Sequence, residues 1–412
     1  MNLAMLTSRH PSIRMGRRSL VAFAVMAVAT LSTQGWAQTS NEPVRLGALL
    51  SVTGNPANGL TAQVGYKMAV DEINASGGIL GRKVEMFIGD DANDPTQAVT
   101  AVKRLISRDK IQVMVGPRVS QATLAVAPVL TEAKIASVSV SGSSAITPQV
   151  SPYHFSLFTS IQTVAVAMVD HISKNLKSKS AAIITDTGSQ GKAAQEELQR
   201  LLPARGITLT SVQQHEPNVS DMTAQVLSLR RGNPDVVIHV AGTGVDAGTL
   251  LKNMDEVGWK VAMVSNTTSL NVPMVVRNAG AEVYKTGQLH GQLLKAYTYC
   301  PNDAVGQTEF GKFIGRLKAY DPKNFDQLNQ QVVSMAYDGV YILKAAAEAT
   351  KSLDGQVIAA WMEKNAGSIS GRINGPLAAS PSSHFLVGPD AIVFVTRPDQ
   401  KRADGAALRS CS

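Results

Sequence analysis

Serine and glycine cluster at two points where a predicted helix follows a predicted strand. Ser120 opens one helix, and the run 141–144, which reads Ser-Gly-Ser-Ser, follows the next strand. The N-terminus of a helix offers free N–H groups and the positive end of the helix dipole, which suit a carboxylate or a phosphate. A single cluster of this kind is also typical of an ordinary turn. Two adjacent clusters favour a binding site for a small anion at this edge of a sheet.

Sequence patterns of catalysis are absent. The chain has no P-loop, HExxH, GxSxG or paired CxxC motif, and its seven histidines show no metal-ligand spacing. Residues 242–248 resemble a dinucleotide-binding loop but read GxGxxxG instead of GxGxxG. The next predicted strand ends at Ser265-Asn266, where such a loop would need an acid for the ribose. We therefore predict no enzyme activity, no metal and no cofactor, with a dinucleotide-dependent enzyme as the remaining catalytic alternative.

The first 37 residues have the pattern of a secretory signal peptide. They contain four arginines and no acid, followed by the apolar stretch Leu20–Leu31 and the small-residue ending Gly35-Trp36-Ala37. The apolar stretch is shorter than the roughly 20 residues that cross a membrane. We predict cleavage after Ala37, a mature N-terminus at Gln38 and a periplasmic location.

Composition limits the class of the mature chain. Removing the four leader arginines lowers the formal net charge from +8 to +4, so the basic pI does not indicate a nucleic-acid partner. The remaining 375 residues suggest two domains, at about 150 residues per domain. The chain has only two cysteines, Cys300 and Cys411, too few for a disulfide framework. The sequence leaves open whether they form a disulfide or stay as free thiols.

Short apolar runs alternate with helical patterns from residue 43 onward, which indicates parallel sheets covered by helices on both faces. Eight strands are predicted before residue 270: Val44–Leu50, Val84–Ile88, Ile111–Val115, Ile135–Val140, Ala181–Ile184, Ile207–Val212, Val236–Val240 and Val261–Val264. The alternation pauses at 141–160, so two sheets fit better than one barrel. Beyond it we predict helices at Gln330–Ala349 and Leu353–Lys364, a last strand at Ala391–Thr396, and a polar tail without elements.

Four motifs in order carry a family resemblance. They are LLSVTG at 49–54, AVDEINASGGILGR at 69–82, GDDANDP at 89–95, and Gly116-Pro117 followed by Ser120 and Thr123. Together they resemble the leucine/isoleucine/valine-binding proteins, the periplasmic receptors of branched-chain amino-acid ABC importers. The resemblance implies an exported solute receptor whose partners are a small ligand and a membrane permease, and we expect a monomer. A receptor that uses the same clamp to signal to a membrane partner is the alternative.

The family fold has two α/β lobes, each a doubly wound parallel sheet, joined by three crossing strands. The resemblance places lobe 1 at 43–160 with 292–385 and lobe 2 at 161–291 with 386–398, leaving 399–412 as a tail. In this family the two lobes close on the ligand like a hinged clamp.

The resemblance assigns the carboxylate-binding half of the site to lobe 1. Ser120 matches the family serine whose hydroxyl binds the ligand carboxylate. Ser141, Gly142 and Ser143 match the loop that contacts the carboxylate and the ammonium, and Asn58 lies where the first loop brings a side chain over the ligand. We predict that Ser120 and Ser143 hold the carboxylate.

The lobe 2 half departs from the family pattern. Gln190 replaces a tyrosine, Thr243 replaces an aromatic residue, and Asn266 or Thr267 falls where an acid pairs with the ligand ammonium. An unpaired buried ammonium would cost about 1–3 kcal/mol or more. We therefore predict weak or absent selectivity for an amine. An amine-free acid would bring Asn266 or Thr267 onto its variable end, whereas an amino acid would need Asp246 as its ammonium partner.

Overall fold

The computed structural model describes residues 42–54, 56–142, 145–409 and 411. The predicted signal peptide at 1–37 and Ser143 lie outside these residues, as does the side chain of Asn58. Within the described ranges, no helix is both long enough and apolar enough to cross a membrane.

Strands and helices alternate along the chain. The strands are β1 (Val44–Leu50), β2 (Val84–Asp90), β3 (Val113–Val115), β4 (Ala136–Ser139), β5 (His154–Ser156), β6 (Ser180–Asp186), β7 (Thr208–His215), β8 (Val236–Val240), β9 (Ala262–Ser265), β10 (Leu289–Leu294), β11 (Thr298–Tyr299), β12 (Ile392–Val395) and β13 (Ala407–Leu408). The α-helices are α1 (Pro56–Ala75), α2 (Pro95–Ser107), α3 (Ser120–Glu132), α4 (Ile161–Asp170), α5 (Ser189–Ala204), α6 (Thr223–Arg231), α7 (Gly244–Glu256), α8 (Val272–Ala279), α9 (Glu309–Tyr320), α10 (Gln330–Thr350) and α11 (Gly355–Asn365).

The first sheet has five parallel strands in the order β2-β1-β3-β4-β5. Helices α1 and α10 pack against each other, and α2 packs against α3. One apolar core includes residues of α1, α10 and the sheet, and a separate core includes Leu49, Val102, Met114 and Val126 from β1, α2, β3 and α3. All residues of β3 and β4 are buried, as is typical of parallel strands covered on both faces.

The second sheet has six strands in the order β12-β10-β9-β8-β6-β7. All neighbouring pairs are parallel except β10 and β12, where Leu294 lies opposite Ile392. Helix α4 packs against α5, and α7 packs against both α6 and α8. The predicted fold class, two parallel-sheet lobes of the periplasmic binding type, is confirmed.

The chain passes between the sheets three times: after β5, after β10 and again before β12. At the first and third passages the backbone of Ser156 donates to the carbonyl of His384 at 2.9 Å and accepts from the N–H of Leu386 at 2.7 Å. The exact lobe boundaries stay a prediction. Strand β10 extends across the predicted boundary between 291 and 292 and remains paired in the second sheet to Leu294.

All eight strands predicted before residue 270 occur, but short elements were missed. Strand β5 lies inside the supposedly irregular segment 141–160, and β10, α8 and α9 were not predicted. Three-residue strands such as β5 are too short to show a period, so only pairing with a neighbour defines them.

The prediction that the tail lacks elements is wrong. Strand β13 pairs in parallel with β11, and a disulfide joins Cys300 to Cys411 with 5.8 Å between their Cα atoms. The Arg402 guanidinium lies 4.1 Å from the centre of the Tyr299 ring. The tail is therefore attached both covalently and by packing to the segment that follows β10.

Candidate functional site

Several helices that follow strands of the two sheets begin without a side-chain cap. Among them are α3, α5 and α7, whose preceding residues Val119, Gly188 and Thr243 make no capping hydrogen bond. In contrast, Asp94 and Ser160 cap α2 and α4 by accepting hydrogen bonds from backbone N–H groups. An uncapped first turn keeps its N–H groups available for an anion.

Two serines meet at the start of α3. The Ser141 hydroxyl, which follows β4 and is buried, donates to the Ser120 hydroxyl at 3.1 Å. Because Ser120 accepts this bond, its own proton is free to be donated to a ligand, and the first bond polarises the second. The structure therefore brings together two of the residues that the resemblance assigned to the carboxylate.

The loop that carries Ser141 is held by the first crossing segment. The Ser156 hydroxyl donates to the Ser141 carbonyl and accepts from the Ser141 N–H at 3.3 Å. At Gly142 an added Cβ would lie 2.5 Å from the Phe158 ring, so a side chain there would collide with the crossing segment. Ser156, the last residue of β5, and Phe158, which follows it, thus fix the position of the predicted carboxylate loop.

On the second-sheet side, Thr243 uses its hydroxyl within the protein. It contacts the Asp246 carboxylate at 2.9 Å and the Asn218 side chain at 3.2 Å. Asp246 is fully buried, and one of its oxygens, Oδ1, has no hydrogen-bond partner. Burial raises the pKa of Asp246, an effect that the neighbouring Asp186 strengthens and the bond from Thr243 opposes.

Asn266 and Thr267, the alternative contacts for the ligand, differ sharply. The buried Asn266 side chain donates to the Ala241 carbonyl at 2.9 Å and accepts from Thr268 at 2.8 Å. The bond to Ala241 ties the end of β8 to the turn after β9. Thr267 is exposed, and its backbone N–H donates to the Gln292 side chain at 3.3 Å. Gln190 is also exposed, in the first turn of α5.

Sequence reasoning missed a buried polar group beneath this half of the site. The His215 ring lies 5.6 Å from the His239 ring, and its Nδ1 is 4.0 Å from Asp246 Oδ1. Burial, with His215 nearby, lowers the pKa of His239 to about 3. Asp186 holds the start of the α7 turn by accepting from the Gly242 N–H at 2.6 Å. These residues stand at or near the carboxyl ends of β6, β7 and β8, and that position was the available signal.

A small cavity of about 40 Å³ lies at the crossing segments. Its lining includes Phe158, which touches Gly142, together with Thr267 and Tyr297. Thr267 and Phe158 therefore line the same cavity, and Phe158 also lies against Gly142, the residue after Ser141.

The glycines that resembled a dinucleotide loop have a packing role. An added Cβ at Gly244 would lie 2.9 Å from the Thr268 carbonyl, and one at Gly248 would lie 2.8 Å from the Val275 carbonyl. Both glycines therefore allow α7 to approach α8 and the turn before it. Among the described residues, no three histidine, cysteine or acidic side chains are grouped as a metal site would need.

Comparison with known proteins extends over most of the chain. Residues 43–402 match the family described as periplasmic binding protein. The Leu/Ile/Val-binding protein homolog 3 of Brucella melitensis is 28% identical over 240 residues, which are 58% of this chain and 65% of that relative.

Solved structures share the fold at lower identity. LivJ, a branched-chain amino acid transporter substrate-binding protein of Streptococcus pneumoniae in complex with isoleucine, has a TM-score of 0.59 at 17% identity, covering 89% of this chain and 94% of that one. A solute-binding protein of an R. palustris ABC transporter in complex with 4-hydroxybenzoate has a TM-score of 0.64 at 20% identity, covering 84% and 91%. With the family match spanning nearly the whole described chain, the protein belongs to the periplasmic binding proteins.

Proposed function

We propose that this protein is an exported receptor that binds a small carboxylate-bearing ligand between its lobes and presents it to the permease of an ABC importer. The observation that carries the proposal is the Ser120–Ser141 pair at the uncapped start of α3. Two aligned hydroxyls beside free backbone N–H groups form a neutral donor set that suits one carboxylate.

The contacts on the second-sheet side favour a ligand without an α-amino group. The Asn266 amide nitrogen donates to a backbone carbonyl and its oxygen accepts from Thr268, so few of its hydrogen-bonding groups remain for a ligand. Asp246 lies buried beneath Thr243, and a ligand ammonium would reach it only if Thr243 gave up its bond. Thr267, exposed beside the crossing segments, is the contact we assign to the variable end of the ligand.

The same fold accommodates both chemical classes, since the two neighbours named above hold isoleucine in one case and 4-hydroxybenzoate in the other. The choice between them rests on the side chains of the site. Closure of the lobes would follow the usual linkage rule: the ligand favours the closed form by its differential affinity for that form.

The test is a thermal-shift screen followed by calorimetry with matched ligands. The set contains aliphatic and aromatic carboxylic acids, the corresponding α-amino acids and the corresponding primary amides. A binding acid at 100 times its Kd should add about 2.7 kcal/mol to the unfolding free energy, and its amide should add far less. If amides bind as tightly as acids, the carboxylate assignment is wrong. N-terminal sequencing of the exported protein tests the predicted start at Gln38.

A further inference from the structure

A second pocket, of about 360 Å³, lies on the first-sheet side and away from the Ser120 edge. It is formed by the C-terminal half of α10, by α11 and by the segment 368–372. Helix α1 starts at the carboxyl edge of the sheet and runs toward the opposite edge. Lys344 of the pocket bonds the carbonyl of Gly78, which lies just beyond the end of that helix. The pocket is therefore distinct from the candidate site between the sheets.

Arg372 places a cation against an aromatic wall of this pocket. Its guanidinium carbon is 4.3 Å from the centre of the Tyr341 ring, and Trp361 lines the pocket as a second aromatic residue. Ser368 and Ser370 add hydroxyls to the lining. A planar guanidinium beside aromatic rings suits a ligand that carries a carboxylate on an apolar body.

The internal partner of Arg372 satisfies it incompletely. Arg372 Nη1 lies 3.5 Å from Asp338 Oδ1, and both atoms are buried without a hydrogen-bond partner. The other oxygen of Asp338 accepts two bonds of 2.8 Å from the backbone and the side chain of Asn374. Burial raises the pKa of Asp338 to about 6, although the bonds from Asn374 and the charge of Arg372 oppose the rise.

The other charges of the pocket are paired. Glu348 accepts from the Leu80 N–H at 2.6 Å and lies 3.3 Å from Lys344 and 3.5 Å from Lys351. Glu72, on α1, accepts from Tyr341 at 3.1 Å and pairs with Arg316 at 3.3 Å. Because two lysines share the one Glu348 carboxylate, Lys344 also contributes positive charge to the pocket, beside Arg372.

We propose that this pocket is an accessory binding site for a small aromatic carboxylate, with the carboxylate on Arg372 and the ring against Tyr341 and Trp361. Its volume lies within the range of small-molecule sites. An external carboxylate and Asp338 compete for the same guanidinium, so binding should strengthen when Asp338 takes up a proton. The proposal is independent of the function proposed for the site between the sheets.

The probe is benzoate, with benzamide as its neutral counterpart, observed by ¹⁹F NMR of the full chain labelled with 5-fluorotryptophan. The Trp361 resonance is assigned with the W361F variant. We expect benzoate to shift this resonance saturably and benzamide to bind at least tenfold more weakly. An unmoved Trp361 resonance, or equal effects of the two probes, would overturn the proposal.

Variants locate the carboxylate. R372Q should weaken benzoate at least tenfold and R372K by a smaller factor, whereas R277Q, which removes an exposed arginine of α8, should leave binding unchanged. Wild type should bind benzoate several-fold more tightly at about pH 5.5 than at about pH 7.5, and D338N should remove this difference. Thermal melts report whether each variant is folded. Unchanged binding in folded R372Q, or a pH dependence that persists in D338N, would also overturn the proposal.

Discussion

The two halves of the candidate site use the same residue types in opposite ways. On the first-sheet side, Ser141 donates to Ser120 and leaves the Ser120 proton available at an uncapped helix start. On the second-sheet side, the side chains of Thr243 and Asn266 form hydrogen bonds with partners inside the protein. Polar residues at strand ends therefore do not by themselves make a binding surface. What matters is which donors remain after the internal hydrogen bonds are formed.

The largest expected effect tests the half with free donors. Replacing both Ser120 and Ser141 with alanine should weaken binding of the carboxylate ligand by about 2–4 kcal/mol, at the usual cost of bonds to a charged group. Ser107→Ala, an exposed serine at the end of α2, is the matched control and should leave affinity unchanged. Calorimetry with the acid found in the ligand screen measures both. Equal affinity in the double variant and the control would remove this half from the site.

A second prediction compares a buried histidine from each side. His154 bonds Ser137 at 2.7 Å and Ser139 at 2.9 Å, whereas His239 has one ring nitrogen without a partner. Replacing His154 with asparagine should therefore cost more unfolding free energy, about 1–3 kcal/mol, than the same change at His239. Urea unfolding at about pH 7.5 measures the difference. A larger loss at His239 would contradict this ranking.

The same two histidines should lower the stability of the folded protein at acid pH. Burial lowers the pKa of each to about 3, with His384 adding to the effect at His154 and His215 at His239. A lowered histidine pKa means that the unfolded chain binds the proton first. Stability should therefore fall as the pH drops from about 6.5 toward 3. Each asparagine variant should show a shallower fall. A wild-type stability that is flat across this range would show that these rings do not titrate as described.

A smaller effect is expected at Asp246. Its raised pKa means that the folded state favours the neutral carboxyl, so its contribution is complete below the unfolded pKa and is lost as the pH rises through the folded value. Asp246→Asn should therefore be at least as stable as wild type at neutral pH, and its advantage should vanish in acid. Denaturant unfolding at several pH values measures this. The variant should also change affinity for an α-amino acid by less than about threefold, and a large loss of that affinity would instead favour Asp246 as an ammonium partner.

The smallest expected effect concerns the ligand itself. Leucine and 4-methylpentanoate differ only in the α-amino group, and we expect their affinities to differ by less than about tenfold, or 1.4 kcal/mol. Calorimetry on the same preparation gives the ratio. A hundredfold preference for leucine, about 2.7 kcal/mol, would contradict the proposal that the ligand lacks an α-amino group.

The sequence by itself determined the alternation of strands and helices and the position of Ser120 at a helix start. These features are local. Apolar residues recur every two residues in a half-buried strand and every 3.6 residues in an amphipathic helix, and this recurrence is visible in the sequence. The order of four motifs was enough to predict the family and the fold. Strands as short as β5 and β13 have no such repeat, so they could be identified only from their pairing with neighbouring strands in the structure.

Tertiary structure decided which of the predicted polar residues are free to act. Nothing near Asn266 in the chain indicates that its amide bonds Ala241. The pairing of Cys300 with Cys411 and the approach of Arg372 to Asp338 were equally hidden. In each case the partners lie on different elements, or on different turns between them. Their meeting depends on how sheets and helices pack, which a local pattern does not encode.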